Sequence, residues 1–84
     1  MAFDIAYKKS VSKDLANLGQ AEARRILDKI DKDLATRADA YPVLKGPFGG
    51  LRKLRVGDYR VIFAILGKQV LVLRIGHRRE VYDR

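Results

Sequence analysis

The stretch LRKLRVGDYRVIFAIL at 51–66 carries Arg52, Lys53, Arg55 and Arg60 against one acid, Asp58. Cations this close on otherwise apolar strands repel one another, and a chain of phosphates relieves that repulsion. The end of the chain, GHRREVYDR, adds a titratable ring at His77, fixed cations at Arg78 and Arg79, and a phenol at Tyr82. Phosphate binding beside a group able to move a proton near neutral pH is the chemistry such residues can carry. A plainer reading needs no ligand: basic residues decorate the wet side of a sheet, relieved by Asp58 and solvent.

Charge placement favours a polyanionic partner. Of the formal net charge of +8, residues 1–45 hold nine Lys/Arg against seven Asp/Glu, and residues 46–84 hold nine against three. The first half is therefore a mixed surface, while the second generates the field. With no cysteine and one histidine, neither a disulfide framework nor a thiolate- or histidine-based zinc site can be built, and no metal or cofactor is expected. An apolar fraction of 48% argues against disorder, and 84 residues suit one domain spanning 1–84. The segment MAFDIAYKKSVSKDL has no apolar signal core, and no apolar run nears the ~20 residues of a membrane span. A cytoplasmic protein with no membrane partner is expected.

Positioning these cations requires a sheet, and the sequence predicts one. Residues 2–7 alternate as a strand with Phe3 and Ile5 on one side. Val11, Leu15 and Leu18 then follow helical spacing behind Ser10, a predicted N-cap, with Gly19 as the stop. From Gln20 to about Arg37, Ala23, Ile26, Leu27, Ile30 and Leu34 form a single stripe, so two helices make a tight hairpin. The segment DAYPVLKGPFGG at 39–50 reads as a connection that drapes over the core through Tyr41, Val43, Leu44 and Phe48. Strands are predicted at 51–56, 59–66 and 70–76. The fold class is thus α+β: an N-terminal strand, a two-helix hairpin, then a three-stranded antiparallel meander, all in one sheet with the helices on one face.

A two-residue turn at Gly57-Asp58 sets Val56 opposite Tyr59, Arg55 opposite Arg60, Leu54 opposite Val61 and Lys53 opposite Ile62. Leu54, Val56, Tyr59, Val61, Phe63 and Ile65 then make the core face, and Lys53, Arg55 and Arg60 the other. For the last strand, a two-residue loop at Gly67-Lys68 puts Arg74 opposite Val61 in the core, a costly burial. A three-residue loop, Gly67-Lys68-Gln69, avoids it by turning Leu71, Leu73 and Ile75 inward and setting Arg74 beside Ile62.

The segments LRVGDYRV at 54–61 and VLRIGHRREVY at 72–82, in this order of elements, closely resemble the RelE/ParE superfamily of toxins from type II toxin–antitoxin systems, the RelE messenger-RNA interferase branch above all. That resemblance implies a ribosome-dependent, metal-free endoribonuclease that inhibits translation by attack of a ribose 2′-hydroxyl on the adjacent phosphate. By position it implies Lys53 as base, Arg60 as phosphate clamp, Arg78 as transition-state stabiliser and proton donor, and Tyr82 against the substrate nucleotide. His77 competes with Lys53 and Arg78 for the proton-transfer roles, and Arg52, Arg55, Arg74 and Arg79 are expected to bind RNA. One branch has a second lysine where this chain has Leu51. The same fold also serves ParE-like toxins, which inhibit DNA gyrase by binding it, and an inactive RNA-binding relative is a further alternative. The resemblance implies a cognate antitoxin, messenger RNA on the ribosome, and operator DNA reached only through the antitoxin complex.

Overall fold

In a computed structural model of the chain, residues 3–44 and 50–77 are described. Strand β1 (Asp4–Tyr7) leads to α1 (Val11–Ala16) and α2 (Gln20–Lys29), followed by β2 (Arg52–Val56), β3 (Tyr59–Leu66) and β4 (Gln69–His77). The sheet order is β1-β4-β3-β2, with β1 parallel to β4 and the other pairs antiparallel. The predicted architecture is therefore the observed one.

Helical backbone continues past α2, as expected, to Arg37, but through a π-helical turn at Ile30–Leu34. Ile26, Ile30, Leu34 and Ala38 recur every four residues and are all buried. Steps of four overshoot a 3.6-residue turn and rotate away from the core, and the wider π turn takes back that rotation. Gly19 does not stop α1. It is the extended residue preceding α2, and its carbonyl accepts the Ala23 amide at 2.9 Å. Ser10 precedes α1 in helical conformation, and its side chain makes no capping bond, so the helix starts without the expected cap.

One core cluster joins Val11, Ile26, Ile30 and Leu34 of the helices to Leu54, Val56, Val61, Phe63, Val70, Val72 and Ile75 of the strands. The helices thus lie on one face of the sheet. Phe3, Ile5, Tyr59 and Ile65 pack against this cluster, as the alternation implies.

The pairing of β2 with β3 follows the predicted register throughout. Between β3 and β4 the expected loop is corrected. Leu66 faces Gln69 across a two-residue turn, so Val70 and Val72, rather than Leu71 and Leu73, are buried. A β-bulge then intervenes: Phe63 faces Val72 while Ile62 faces Arg74, leaving Leu73 as the extra residue. The additional residue that keeps Arg74 out of the core sits in the strand, not in the loop. Gly57 (φ 60) and Gly67 (φ 64) each occupy the first turn position with positive φ, which a II′ hairpin demands.

The connection departs from the expected drape. Tyr41 meets Phe63 edge-on at 6.2 Å between centroids, on the helix side. The chain then rounds the β2 edge, where Val43 bridges Arg52 and Leu44 caps Ile62 on the outer face together with Leu51. Val43 itself is exposed, and Phe48 lies outside the described residues.

Candidate nucleic-acid interface

Register alone assembles the basic array. Lys53, Ile62 and Arg74 stand in one row across β2, β3 and β4, and Arg55, Arg60 and Gly76 form the next row. Paired residues share a side of the sheet, and residues two apart along a strand share it as well. Lys53, Arg55, Arg60 and Arg74 therefore all originate on the face away from the helices. With strands roughly 4.8 Å apart, Lys53 and Arg74 are separated by about 10 Å at the backbone. Arg55 and Arg74 are exposed, while Lys53 and Arg60 are half-buried. Arg55 and Arg60 face each other directly, where two like charges repel. Arg55 bends toward the turn, where its Nε donates to the Gly57 carbonyl at 3.1 Å.

Two predicted site residues lie elsewhere. Arg52 belongs to the opposite side, facing Phe63, and its guanidinium donates to the carbonyls of Asp39 (3.2 Å) and Tyr41 (2.6 Å). It pins the connection to β2. His77 pairs with Tyr59, whose side faces the helices, and the two rings meet edge-on at 5.9 Å between centroids. By register the imidazole stands across the sheet from Lys53, Arg60 and Arg74. The GHR tripeptide suggested proximity along the chain, but alternation decides which face a side chain reaches. Arg78, Arg79 and Tyr82 lie outside the described residues.

Because β2 is the sheet edge, Lys53 also borders a cleft of about 280 Å³ against the helix, together with Lys29, Asp33, Arg37, Tyr41 and Arg55. Asp33 accepts from Lys29 Nζ at 3.0 Å and from Tyr41 Oη at 2.9 Å. These two bonds, the lysine's first, hold its carboxyl below the ordinary carboxylate range. Tyr41 is pushed the other way, by burial first and by its bond to Asp33. Arg37 ends the helical run, and its place beside β2 depends on the helix crossing over that edge. A hollow of about 620 Å³ lies along Gln20–Asp28 and takes in none of the sheet cations.

A further device holds the end of β4. β1 stops at Tyr7, the last bond from that side being the Lys8 amide to the Val72 carbonyl at 2.9 Å. Beyond the bulge, Asp14 of α1 takes the place of a strand: its Oδ2 accepts the Ile75 amide at 2.9 Å.

A four-stranded sheet with a helical hairpin on one face and a cationic array on the other makes a small α+β fold. The chain belongs to the ParE toxin family of type II toxin–antitoxin systems, whose model matches residues 5–82. Solved structures of similar fold include the RelBE2 toxin–antitoxin complex of Mycobacterium tuberculosis, with TM-score 0.85, 21% identity, and coverage of 93% of this chain and 100% of that one. The isolated RelE toxin of E. coli matches with TM-score 0.71 and 22% identity over 98% of this chain and 93% of its own. A chain of the chromosomal ParDE system of P. aeruginosa matches with TM-score 0.70 and 19% identity over 90% and 96%. A search of curated proteins finds no match.

Proposed function

We propose that this toxin is a metal-free endoribonuclease that cuts messenger RNA on the ribosome in the cytoplasm and so stops translation. The observation that carries the reading is the row Lys53–Ile62–Arg74 beside the pair Arg55–Arg60, four cations gathered on one sheet face. In the reaction Lys53 in its amine form takes the proton of the ribose 2′-hydroxyl, and the freed oxygen attacks the adjacent phosphorus. The bond from phosphorus to the 5′-oxygen breaks, and that oxygen leaves with a proton, for which Arg78 is the candidate donor. Arg60 and Arg74 hold the phosphorane's charge, an electrostatic contribution that needs the cations fixed before the substrate arrives. Tyr82 would rest against the nucleotide and Arg79 on the backbone. His77, facing Tyr59, gives way to Lys53 as base.

The test is to express the chain and map new 5′ ends on translated messages. Codon-phased cuts are expected, and Lys53→Ala lowers the cleavage rate by about 10²- to 10⁴-fold, the range for one acid–base group. Unphased ends, or equal cutting by the variant, overturn the assignment.

A second reading is a ParE-like gyrase inhibitor, favoured by the family match and by the imidazole's place away from the cations. It predicts loss of DNA supercoiling without message cleavage, and the same cells report both. On either reading a cognate antitoxin is the partner, supported by the toxin–antitoxin complexes among the similar structures.

A further inference from the structure

We propose that the cleft between the β2 edge and the helix is a second phosphate subsite, in which Arg37 holds the RNA strand beyond the scissile bond. This rests on the RNA-cleaving reading above. The row Gly76–Arg60–Arg55 runs across the strands beside the Leu44 cap on Ile62, so a polyanion laid along it travels toward the β2 edge. On the far side of Gly76 the paired part of β1 has already ended, at Val72. In the other direction the row reaches Arg55 on β2, which itself lines the cleft.

The strand pairing leaves that path open at Arg55. The connection covers the β2 edge through the Val43–Arg52 bridge and the bond from the Lys53 amide to the Pro42 carbonyl at 3.4 Å. Odd-numbered residues of β2 point their backbone groups outward, so from Arg55 to Gly57 the edge opens on the cleft.

The charge suits a phosphate. Lys29, Arg37, Lys53 and Arg55 line the cleft against one acid, Asp33. That carboxylate is already engaged by Lys29 Nζ and the Tyr41 hydroxyl, so it opposes an incoming anion weakly. The remaining positive charge comes from Arg37, Lys53 and Arg55, with Arg37 exposed at the end of the helical run. A volume of about 280 Å³ accepts a phosphate with part of its sugar, whereas a folded partner would not enter.

The experiment uses the full chain and a short, fully 2′-O-methylated RNA, which lacks the attacking hydroxyl and stays intact. Binding is followed by fluorescence anisotropy across a salt series for the wild type, Arg37→Gln, Arg37→Lys and Arg74→Gln. Each phosphate neutralised on a single strand contributes about 0.7 to the slope of log affinity on log salt. Arg37→Gln is expected to lower the slope by about that amount, and Arg37→Lys to keep it, which separates charge from folding. A wild-type slope in Arg37→Gln, an equal loss in Arg37→Lys, or salt-independent binding by the wild type overturns the subsite. If Arg37→Gln lowers the slope and Arg74→Gln, on the sheet face and outside the cleft, does not, the subsite stands and the nuclease assignment of the sheet face falls.

Discussion

At the scale of single residues, face matters more than neighbourhood in sequence. His77 and Arg74 are three positions apart, yet one faces Tyr59 beneath the helices and the other flanks Ile62 on the outer side. His77→Gln should therefore leave the rate of RNA cleavage within a few-fold of wild type. It should lower stability by about 0.5–1.5 kcal/mol, the worth of an edge-on aromatic pair, because the ring against Tyr59 is lost. Cleavage kinetics and a urea titration of the same preparation separate the two effects. A loss of cleavage comparable with that of Lys53→Ala, at unchanged stability, would return the imidazole to the reaction. Arg52 illustrates the same rule, since a cation adjacent to Lys53 is spent on two backbone carbonyls.

Elements are tied together here by two carboxylates, Asp14 and Asp33. Asp14 replaces a neighbouring strand for Ile75, so Asp14→Ala strands a half-buried amide at a cost of about 1–3 kcal/mol. Asp14→Asn keeps an acceptor and should recover most of it, with faster Ile75 amide exchange in the alanine variant alone. Asp33 joins the helix to the connection through Lys29 and Tyr41, and its folded pKa lies below the unfolded value. Its stabilisation is accordingly complete above the unfolded carboxylate value of about 3.9 and is lost as pH falls through the depressed folded value. The advantage of wild type over Asp33→Asn, read as urea midpoints, should be level from about pH 5 to 8 and shrink below about pH 4. A constant advantage at every pH would mean that the bonds do not depend on the charge. Such ties were not legible in the sequence, because Asp14 and Ile75 are 61 residues apart and nothing in spacing links them. The β2–β3 register was legible, because Gly57-Asp58 and strict alternation leave one pairing that buries Leu54 and Val61. The need for an odd residue before Arg74 was legible too, but its placement in a bulge at Leu73 was not, since a loop residue and a bulge shift the register equally. The π turn escaped for a similar reason: a stripe at steps of four fits either helix until the whole run is packed.

For the whole molecule, the decisive property is that fold and field are segregated. The helices and the inner sheet face supply the shared core, while Lys53, Arg55, Arg60 and Arg74 start from the outer face and the β2 edge. A protein of net charge +8 attracts polyanions over about a Debye length, near 10 Å at 0.1 M salt, before any specific contact forms. An antitoxin with an acidic segment would exploit that field, and its arrival should be governed by charge and its residence by apolar contact. Association with the cognate antitoxin is expected to slow by roughly tenfold or more as salt rises from about 0.03 M to 0.3 M, with little change in dissociation. Stopped-flow mixing measures the first rate and displacement by excess labelled toxin the second. Substituting Arg74 and Arg55 by glutamine should flatten the salt dependence of association, because both are exposed and contribute to the long-range field. If dissociation instead carries the salt dependence, the cations are buried in the complex, and the antitoxin neutralises the array by direct contact rather than finding it by attraction.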